Sequence, residues 1–315
     1  MTKTSMGPDD GFAAWPGHTG NWGRWDNDLG TMNLGNTGSV LRAAASVKQG
    51  KAISLARPLV GEEEATRWSD PFITHEIVKA DSESFEEGDL TQSAADRVTS
   101  RVHGMAHTHI DALVHMGYRG WSFNGYRFPD IVTTENGVKE LDIEPLLSIV
   151  TRGILIDVAR NRGIEALDPG EAVQADEIEP HLNEIEPGDA VILRLGGTLK
   201  RGRGATEKSE HGTWHHGTWA GMDTDCIDLL ASRDVLLMAS DSPSDVFPHR
   251  HESYARSPVH VLAEVFYGMP LVHNMDLEDL ADACLASAQN TFMFMVAPLW
   301  IPGSTGSLVN PLAVL

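Results

Sequence analysis

The chain repeats one hydrophobic pattern: an apolar run, a turn rich in Pro, Gly or Asp, and then a stretch with helical spacing. Short apolar runs bounded by turn residues are typical of strands buried on both faces. The pattern predicts strands at 52–56, 153–158, 190–195, 235–239 and 291–296, and helices that begin near 37 and at 173, 223 and 276. The helix that begins at 173 is predicted to run to 185. Interleaved strands and helices favour an α/β domain with a largely covered sheet.

Residues 1–36 show neither helical nor strand periodicity and are rich in Gly, Asn, Asp and Trp. Because closely spaced tryptophans usually bury their rings, we expect an ordered N-terminal arm over 1–36. No stretch after residue 50 has the composition of a linker. Residues 37–315 are therefore predicted to form a single domain.

The net charge of the chain argues against some classes of binding partner. Lys and Arg number 24 against 45 Asp and Glu, a net charge of −21. Such a balance repels phosphate backbones and anionic lipid surfaces, which argues against nucleic-acid and membrane partners and leaves a small-molecule substrate. No apolar run approaches the ~18 residues of a membrane span, and the first residues lack the apolar core of a signal peptide. We expect a soluble, cytoplasmic protein.

A cluster of histidines marks the candidate chemistry. Four of the 14 histidines lie between His103 and His115. Imidazole and carboxylate are the usual protein ligands of Zn²⁺ and Mn²⁺. His109 and Asp111 are separated by one residue, so their side chains leave the same face of an extended backbone, and His103, His107 and His115 share that parity. The sequence therefore predicts a metal site here rather than a solvated polar run.

The segment Thr108-His-Ile-Asp-Ala112, followed by His115, resembles the signature of the metal-dependent cyclase family of kynurenine formamidase and isatin hydrolase type. The pattern of that family is His-x-Gly-Thr-His-x-Asp-x-x-x-His. Segments 153–157, 187–193, 239–242 and 258–280 are similar to the family in the same order. The resemblance implies a swivelling β/β/α fold, in agreement with the α/β pattern. It also implies a homo-oligomer, a dimer or tetramer, in which the arm could pack on a neighbouring copy.

The resemblance also assigns roles. His109, Asp111 and His260 match metal ligands of the family, and His115 matches its general base. The competing interpretation of His115 is a histidine that binds the metal or orients one of its ligands. The position of the family's first histidine ligand holds Met105 here. Either His107 substitutes, or the loop is longer by two residues and His103 takes the role; we favour His103.

A second departure from the family lies downstream. His273 stands where the family has a glutamate ligand. Exchange of an anionic oxygen for a neutral nitrogen favours one metal ion over two. The expected cofactor is a divalent metal, Mn²⁺ or Zn²⁺.

Such a site predicts a hydrolase. A divalent ion lowers the pKa of bound water from ~15.7 toward ~7 and polarises a carbonyl oxygen. The expected reaction is hydrolysis of a carbon–nitrogen bond in an aryl formamide or cyclic amide, or of a lactone, with attack by metal-bound water and His115 as general base and acid. Two alternatives remain: a polyketide-type cyclase or dehydratase that uses the same metal site, and a catalytically silent metal-binding homologue.

Other residues are candidates for substrate contact. Trp68 could supply an aromatic wall for a planar substrate, and core packing is its competing interpretation. His251, together with His249 and Arg250, could line the site or hold a substrate carboxylate, although a polar surface loop is also typical of this segment. Asp241 ends a predicted strand and is a candidate for orienting a ligand, although the segment Asp241-Ser-Pro-Ser244 is also typical of an ordinary turn.

Overall fold

The structure, a computed structural model, describes residues 20–59, 73–105, 107–197, 218–251 and 255–315. Numbered along the chain, its strands are β1 Ala52–Ser54, β2 Ile73–Ala80, β3 Ala94–Ser100, β4 His109–Asp111, β5 Trp121–Ser122, β6 Tyr126–Arg127, β7 Val132–Thr133, β8 Gly137–Val138, β9 Ile149–Asp157, β10 Ala172–Val173, β11 Ala190–Arg194, β12 Gly221–Met222, β13 Leu237–Ser240, β14 Leu271–His273, β15 Thr291–Val296, β16 Gly306–Leu308 and β17 Leu312–Val314.

The α-helices are α1 Thr37–Ala45, α2 Phe128–Ile131, α3 Val158–Asn161, α4 Ala175–Ile178, α5 Thr224–Ser232, α6 Pro258–His260 and α7 Glu278–Ser287. A π-helix, Val261–Tyr267, follows α6 directly. Within the described ranges, no helix has the length and apolar character needed to cross a bilayer.

One mixed sheet organises the molecule. Its nine strands lie in the order β1-β17-β15-β9-β11-β13-β14-β4-β16. The central strands β9, β11, β13 and β14 run parallel, and the remaining neighbours are antiparallel. Along β11, Val191 and Leu193 pack into the hydrophobic core on one face, and Ala190 and Ile192 into the core on the other. Because strands covered on both faces must be apolar throughout, the predicted α/β domain with a covered sheet is confirmed.

The predicted helix at 173–185 is wrong in its extent. The chain instead forms the short strand β10, then α4, and then a 3₁₀ turn at Glu179–His181. Pro180 stands in the middle of the predicted helix and has no backbone N–H to donate, and its ring would clash with the carbonyl four residues earlier. The apolar spacing survives, but the regular α-helix ends before this proline.

The described part of the arm, residues 20–36, packs on its own chain at the end of the π-helix. The backbone N–H of Asn21 donates to the carbonyl of Phe266 at 2.8 Å, and its side-chain amide donates to Tyr267 at 3.0 Å. The indole N–H of Trp22 donates to the carbonyl of Val265 at 2.6 Å. Helix ends leave such carbonyls without a partner, so this part of the arm supplies the hydrogen-bond donors for the end of the π-helix.

The hairpin formed by β2 and β3 stands apart from the main sheet. Nearly all of its side chains are exposed, including the apolar side chains of Ile77, 56% exposed, and Val98, 55% exposed. A two-stranded hairpin with both faces in water is marginally stable by itself. The hairpin leads, through residues 101 and 102, to the histidine cluster.

Candidate metal centre

Two neighbouring strands bring three of the candidate ligands together. His109 and Asp111 point to one face of β4, whereas Ile110 between them points into the core. β14 pairs with β4 in antiparallel register, with His273 opposite His109. The two imidazole rings lie 5.1 Å apart between centroids. The alternation of side chains along β4 and the pairing of β4 with β14 therefore place these three side chains together at the base of the site.

The carboxylate of Asp111, fully buried, lies at the centre of a ring of imidazoles. Its Oδ1 lies 2.8 Å from Nδ1 of His103 and 3.6 Å from Nε2 of His109. Its Oδ2 lies 2.8 Å from Nε2 of His273 and 3.7 Å from Nε2 of His260. Burial alone would raise the pKa of Asp111, but the surrounding histidines hold it well below the ordinary value. The two oxygens of this anionic carboxylate thus face four imidazoles.

The far side of each of two histidines is held by the loop after β13. Nδ1 of His260 donates to the carboxylate of Asp245, and Nδ1 of His273 lies 2.8 Å from the hydroxyl of Ser244. The bond to Asp245 and the negative charges of Asp245 and Asp111 raise the pKa of His260, even though burial opposes this. Each contact leaves Nε2 turned toward Asp111, the orientation that a metal ligand needs.

His109 and His103 are oriented in a similar way. Nδ1 of His109 donates to the carbonyl of His107 at 2.8 Å, which leaves Nε2 free to face Asp111. Nε2 of His103 lies 2.8 Å from the hydroxyl of Thr305. A side chain at Gly306 would begin 2.8 Å from the ring of His103, so the close approach of this histidine requires glycine there.

Glu264 on the π-helix adds a second buried carboxyl group. Its side chain is fully buried, and neither carboxylate oxygen has a hydrogen-bond partner. Burial, with the nearby charge of Asp111, raises the pKa of Glu264 well above the ordinary value. Two buried carboxylates this close repel each other unless a cation or a proton lies between them.

The donor atoms fit a divalent cation. One atom from each of Asp111, His260, Glu264 and His273 lies within 4.8 Å of the others, and His103, His109 and Asp111 form a second such group. Imidazole nitrogen with carboxylate oxygen is the donor set of Zn²⁺ and Mn²⁺ sites. The unpartnered carboxylate of Glu264 is the observation that supports the fit most directly, because a bound cation would supply the missing partner.

His115 lies at the rim of this cluster, at the end of a 3₁₀ turn, Leu113–His115. Its Nε2 is 4.0 Å from Oδ2 of Asp111, and its ring stacks on that of His103, with centroids 3.6 Å apart. Burial lowers the pKa of His115 to about 3. The imidazole is therefore neutral at pH 7, which is the protonation state that a general base requires.

A pocket of about 180 Å³ opens onto the cluster. The described residues that line it are His103, Gly104, Met105, His109, His115, Trp219, Pro243, Asp245, Val246, Phe247, Arg256, Ser257, His260 and His273. The lining combines five imidazoles with aromatic and aliphatic groups and with the polar residues Asp245, Arg256 and Ser257. The arrangement can hold a small molecule with a polar group directed at the candidate ligands.

The other predicted site residues lie elsewhere. His107 is buried, its ring nitrogens have no hydrogen-bond partner, and it belongs to neither group of candidate ligands. His251 lies outside the described pocket lining, with Nε2 2.9 Å from the hydroxyl of Thr224. Asp241 accepts bonds from the backbone N–H groups of Leu195 and Gly197. Trp68 lies outside the described residues.

The sequence interpretation missed Glu264, Ser244, Asp245 and Thr305. Glu264 follows His260 by four residues, a helical spacing that places both on one side of the same segment, so this signal was present. No local signal marks Ser244 and Asp245, because they lie on a loop in which Ser244 adopts a left-handed φ of 69°. Thr305 comes from a distant part of the chain.

Comparisons with known proteins identify the fold. A sequence model of the Cyclase family, described as putative cyclase, matches residues 48–245, and no curated protein matches the chain. The crystal structure of a novel cyclase is similar, with a TM-score of 0.81 at 24% identity, over 94% of this chain and 97% of that one. An isatin hydrolase bound to the product analogue thioisatinate is also similar, with a TM-score of 0.54 at 17% identity, over 89% of this chain and 99% of that one. Isatin hydrolase A from Labrenzia aggregata, bound to benzyl benzoate, has a TM-score of 0.54 at 16% identity, over 86% of this chain and 94% of that one. These structures confirm the expected cyclase-like fold.

Proposed function

The chain belongs to the cyclase family, and from that premise we propose that it is a metal-dependent hydrolase of a carbon–nitrogen bond. The substrate class is an aryl formamide or a cyclic amide, with a lactone as the nearest variant. The observation that carries the proposal is the buried carboxylate of Asp111, ringed by imidazoles at the end of a pocket of about 180 Å³. A structural role alone would not require this many titratable groups beside a cavity.

The chain supplies a full set of candidate ligands for the ion, Mn²⁺ or Zn²⁺. These are His103, His109, Asp111, His260, Glu264 and His273. A bound divalent ion supplies Lewis acidity toward a carbonyl oxygen and makes hydroxide available at neutral pH. Asp245 and Ser244 fix the ring orientations of His260 and His273 before the ion binds.

His115 is the proposed proton carrier. It is neutral at pH 7, lines the pocket and has Nε2 at 4.0 Å from Asp111. A neutral imidazole can take a proton from the attacking nucleophile and return it to the leaving nitrogen or oxygen. The stacked ring of His103 limits the orientations of His115 and keeps it over the pocket.

The proposal is tested by metal removal and by one pair of variants. Dialysis against a chelator should abolish turnover of a panel of aryl formamides, cyclic amides and lactones, and Mn²⁺ or Zn²⁺ should restore it. His115→Ala should lower kcat by about 10²- to 10⁴-fold, the usual contribution of a general base. His181→Ala is the control, because this histidine pairs with Glu184 away from the pocket.

Mass spectrometry of the product separates the proposal from a cyclase or dehydratase. Hydrolysis adds the mass of water, whereas cyclisation with dehydration removes it. Full activity of metal-free protein would refute the metal-dependent mechanism. Absence of turnover across the panel, in protein shown by elemental analysis to hold a metal, would favour a silent metal-binding homologue.

A further inference from the structure

The pocket beside the candidate metal centre has one permanently charged basic residue in its described lining. Among its described lining residues, Arg256 is the only arginine or lysine. The backbone carbonyl of Arg256 lies 3.0 Å from Nε2 of His249, and the residue is exposed. Within the described parts of the chain, the guanidinium of Arg256 makes no ion pair. A guanidinium in this position has its donors available for a ligand.

Arg250, the arginine that sequence considerations suggested for a substrate carboxylate, is already paired. Its guanidinium lies 2.6 Å from Asp223 and 2.6 Å from Asp225, at the start of α5. Arg250 is not among the lining residues of the pocket. The two arginines are six residues apart and carry the same charge, but only Arg256 is among the described residues that line the pocket.

The position of Arg256 relative to the candidate ligands is set by a short segment. Arg256 precedes Ser257 and α6, and α6 ends at His260. The Cα atoms of Arg256 and His260 therefore lie at most about 14 Å apart, since an extended chain rises at most ~3.3–3.6 Å per residue. A planar guanidinium binds a carboxylate through two parallel hydrogen bonds.

The apolar wall of the pocket fits a single aromatic ring. Trp219 and Phe247 stack with centroids 5.0 Å apart and an interplanar angle of 25°. Their backbones are joined by two hydrogen bonds of 3.1 Å, and the indole N–H of Trp219 donates to the carbonyl of Asp245 at 2.8 Å. The wall is thus tied to the residue that orients His260. A cavity of about 150 Å³ is known to hold benzene, and this pocket measures about 180 Å³.

We propose that the substrates are monocyclic aromatic amides that carry a carboxylate, which pairs with Arg256 while the ring lies against Trp219 and Phe247. This inference rests on the proposed function, because it names the substrate class of the same site. In a chain of net charge −21, a free guanidinium together with a bound cation makes the pocket a local site of positive charge. Such a site selects anionic substrates over neutral ones.

The test compares matched substrates and matched variants. Formanilide and its three ring-carboxylated forms, the ortho, meta and para formamidobenzoates, differ only in the anionic group. Arg256→Gln should lower kcat/KM for the preferred formamidobenzoate by about 10- to 100-fold, mainly through KM, because a bidentate charged contact is lost. The kcat/KM for formanilide should change less than about twofold in the same variant. Arg256→Lys should keep part of the preference, because the charge remains but the bidentate geometry is lost.

Arg250→Gln is the control, because it makes the same change in net charge outside the pocket. It should leave the ratio of kcat/KM between the formamidobenzoate and formanilide unchanged. Equal losses for charged and neutral substrates in Arg256→Gln, or a loss of the same size in Arg250→Gln, would overturn the inference while the hydrolase activity stood.

Binding of benzoate and benzamide to the purified protein, measured by calorimetry, separates this inference from the proposed function. Benzoate should bind more tightly than benzamide, and Arg256→Gln should reduce the difference in protein of the same metal content. If no amide is hydrolysed but benzoate binding depends on Arg256, the proposed reaction fails and the anion site stands. If benzoate shows no preference over benzamide, the anion site is refuted whatever the reaction is.

Discussion

Replacement of Asp245 by Asn tests whether the candidate centre depends on a pre-oriented His260. The Asp245 carboxylate accepts from Nδ1 of His260 and, at 2.6 Å, from the backbone N–H of Val259. Its side chain is only 7% exposed, so water does not replace these bonds. Asparagine keeps the shape of the side chain and one acceptor oxygen but removes the charge.

The expected loss follows from the type of bond. A hydrogen bond to a charged group contributes about 1.5–3 kcal/mol. At 1.4 kcal/mol per factor of ten, this range corresponds to a metal affinity about 12- to 140-fold lower in Asp245→Asn. Changes of residues that orient metal-ligating histidines commonly cost about 10- to 100-fold, in agreement with this range.

The assay is competition with a chromophoric chelator for Zn²⁺ and for Mn²⁺. Ser244→Ala is the matched variant, since it removes a neutral contact of 2.8 Å to His273. A neutral bond contributes about 0.5–1.5 kcal/mol, so Ser244→Ala should lower affinity only about 2- to 12-fold. Unchanged affinity in Asp245→Asn, in protein with a native circular dichroism spectrum and melting temperature, would refute the reasoning. A larger loss in Ser244→Ala than in Asp245→Asn would refute it as well.

Three further predictions concern other parts of the molecule. His103→Ala should lower the bound metal measured by elemental analysis, whereas His107→Ala should leave it unchanged; the reverse result would exchange their roles. Trp22→Phe removes the donor to Val265 and should lower the free energy of unfolding in urea by about 1–2 kcal/mol; no measurable loss would show that the bond is dispensable. We also expect a homo-oligomer in which the β2–β3 hairpin contacts a second copy, so the double variant Ile77→Lys and Val98→Lys should give a smaller mass by light scattering, and an unchanged mass would contradict this.

Local spacing predicts those parts of the centre that local geometry builds. Strand parity was enough to place His109 and Asp111 on one face, and the structure shows them there. The pairing of His109 with His273 depends on the register of two strands that lie far apart in the sequence. Only the family resemblance connected those positions, since spacing contains no information about register.

The residues that sequence reasoning missed depend on tertiary contacts. Arg250 and Arg256 are six residues apart in the sequence, and Arg250 is the paired one because Asp223 and Asp225 lie beside its guanidinium. In the same way, the contact between Asp245 and His260 joins residues from separate segments, and Ser244 before Asp245 has a left-handed φ of 69°. Residue type identified these groups as candidates for polar contacts, but their partners are fixed by the folded chain.

The hydrogen bond between Trp22 and the π-helix has a consequence for the order of events during biosynthesis. Trp22 and its acceptor, Val265, are separated by 243 residues. At ribosomal rates of ~5–20 residues per second, roughly 12–50 s pass between the translation of Trp22 and that of Val265. His260, Glu264 and His273 are translated in that same late portion of the chain. A metal ion at the candidate centre would therefore meet its complete set of proposed ligands only after most of the sheet has been translated, and incomplete chains that end before residue 260 would lack His260, Glu264 and His273.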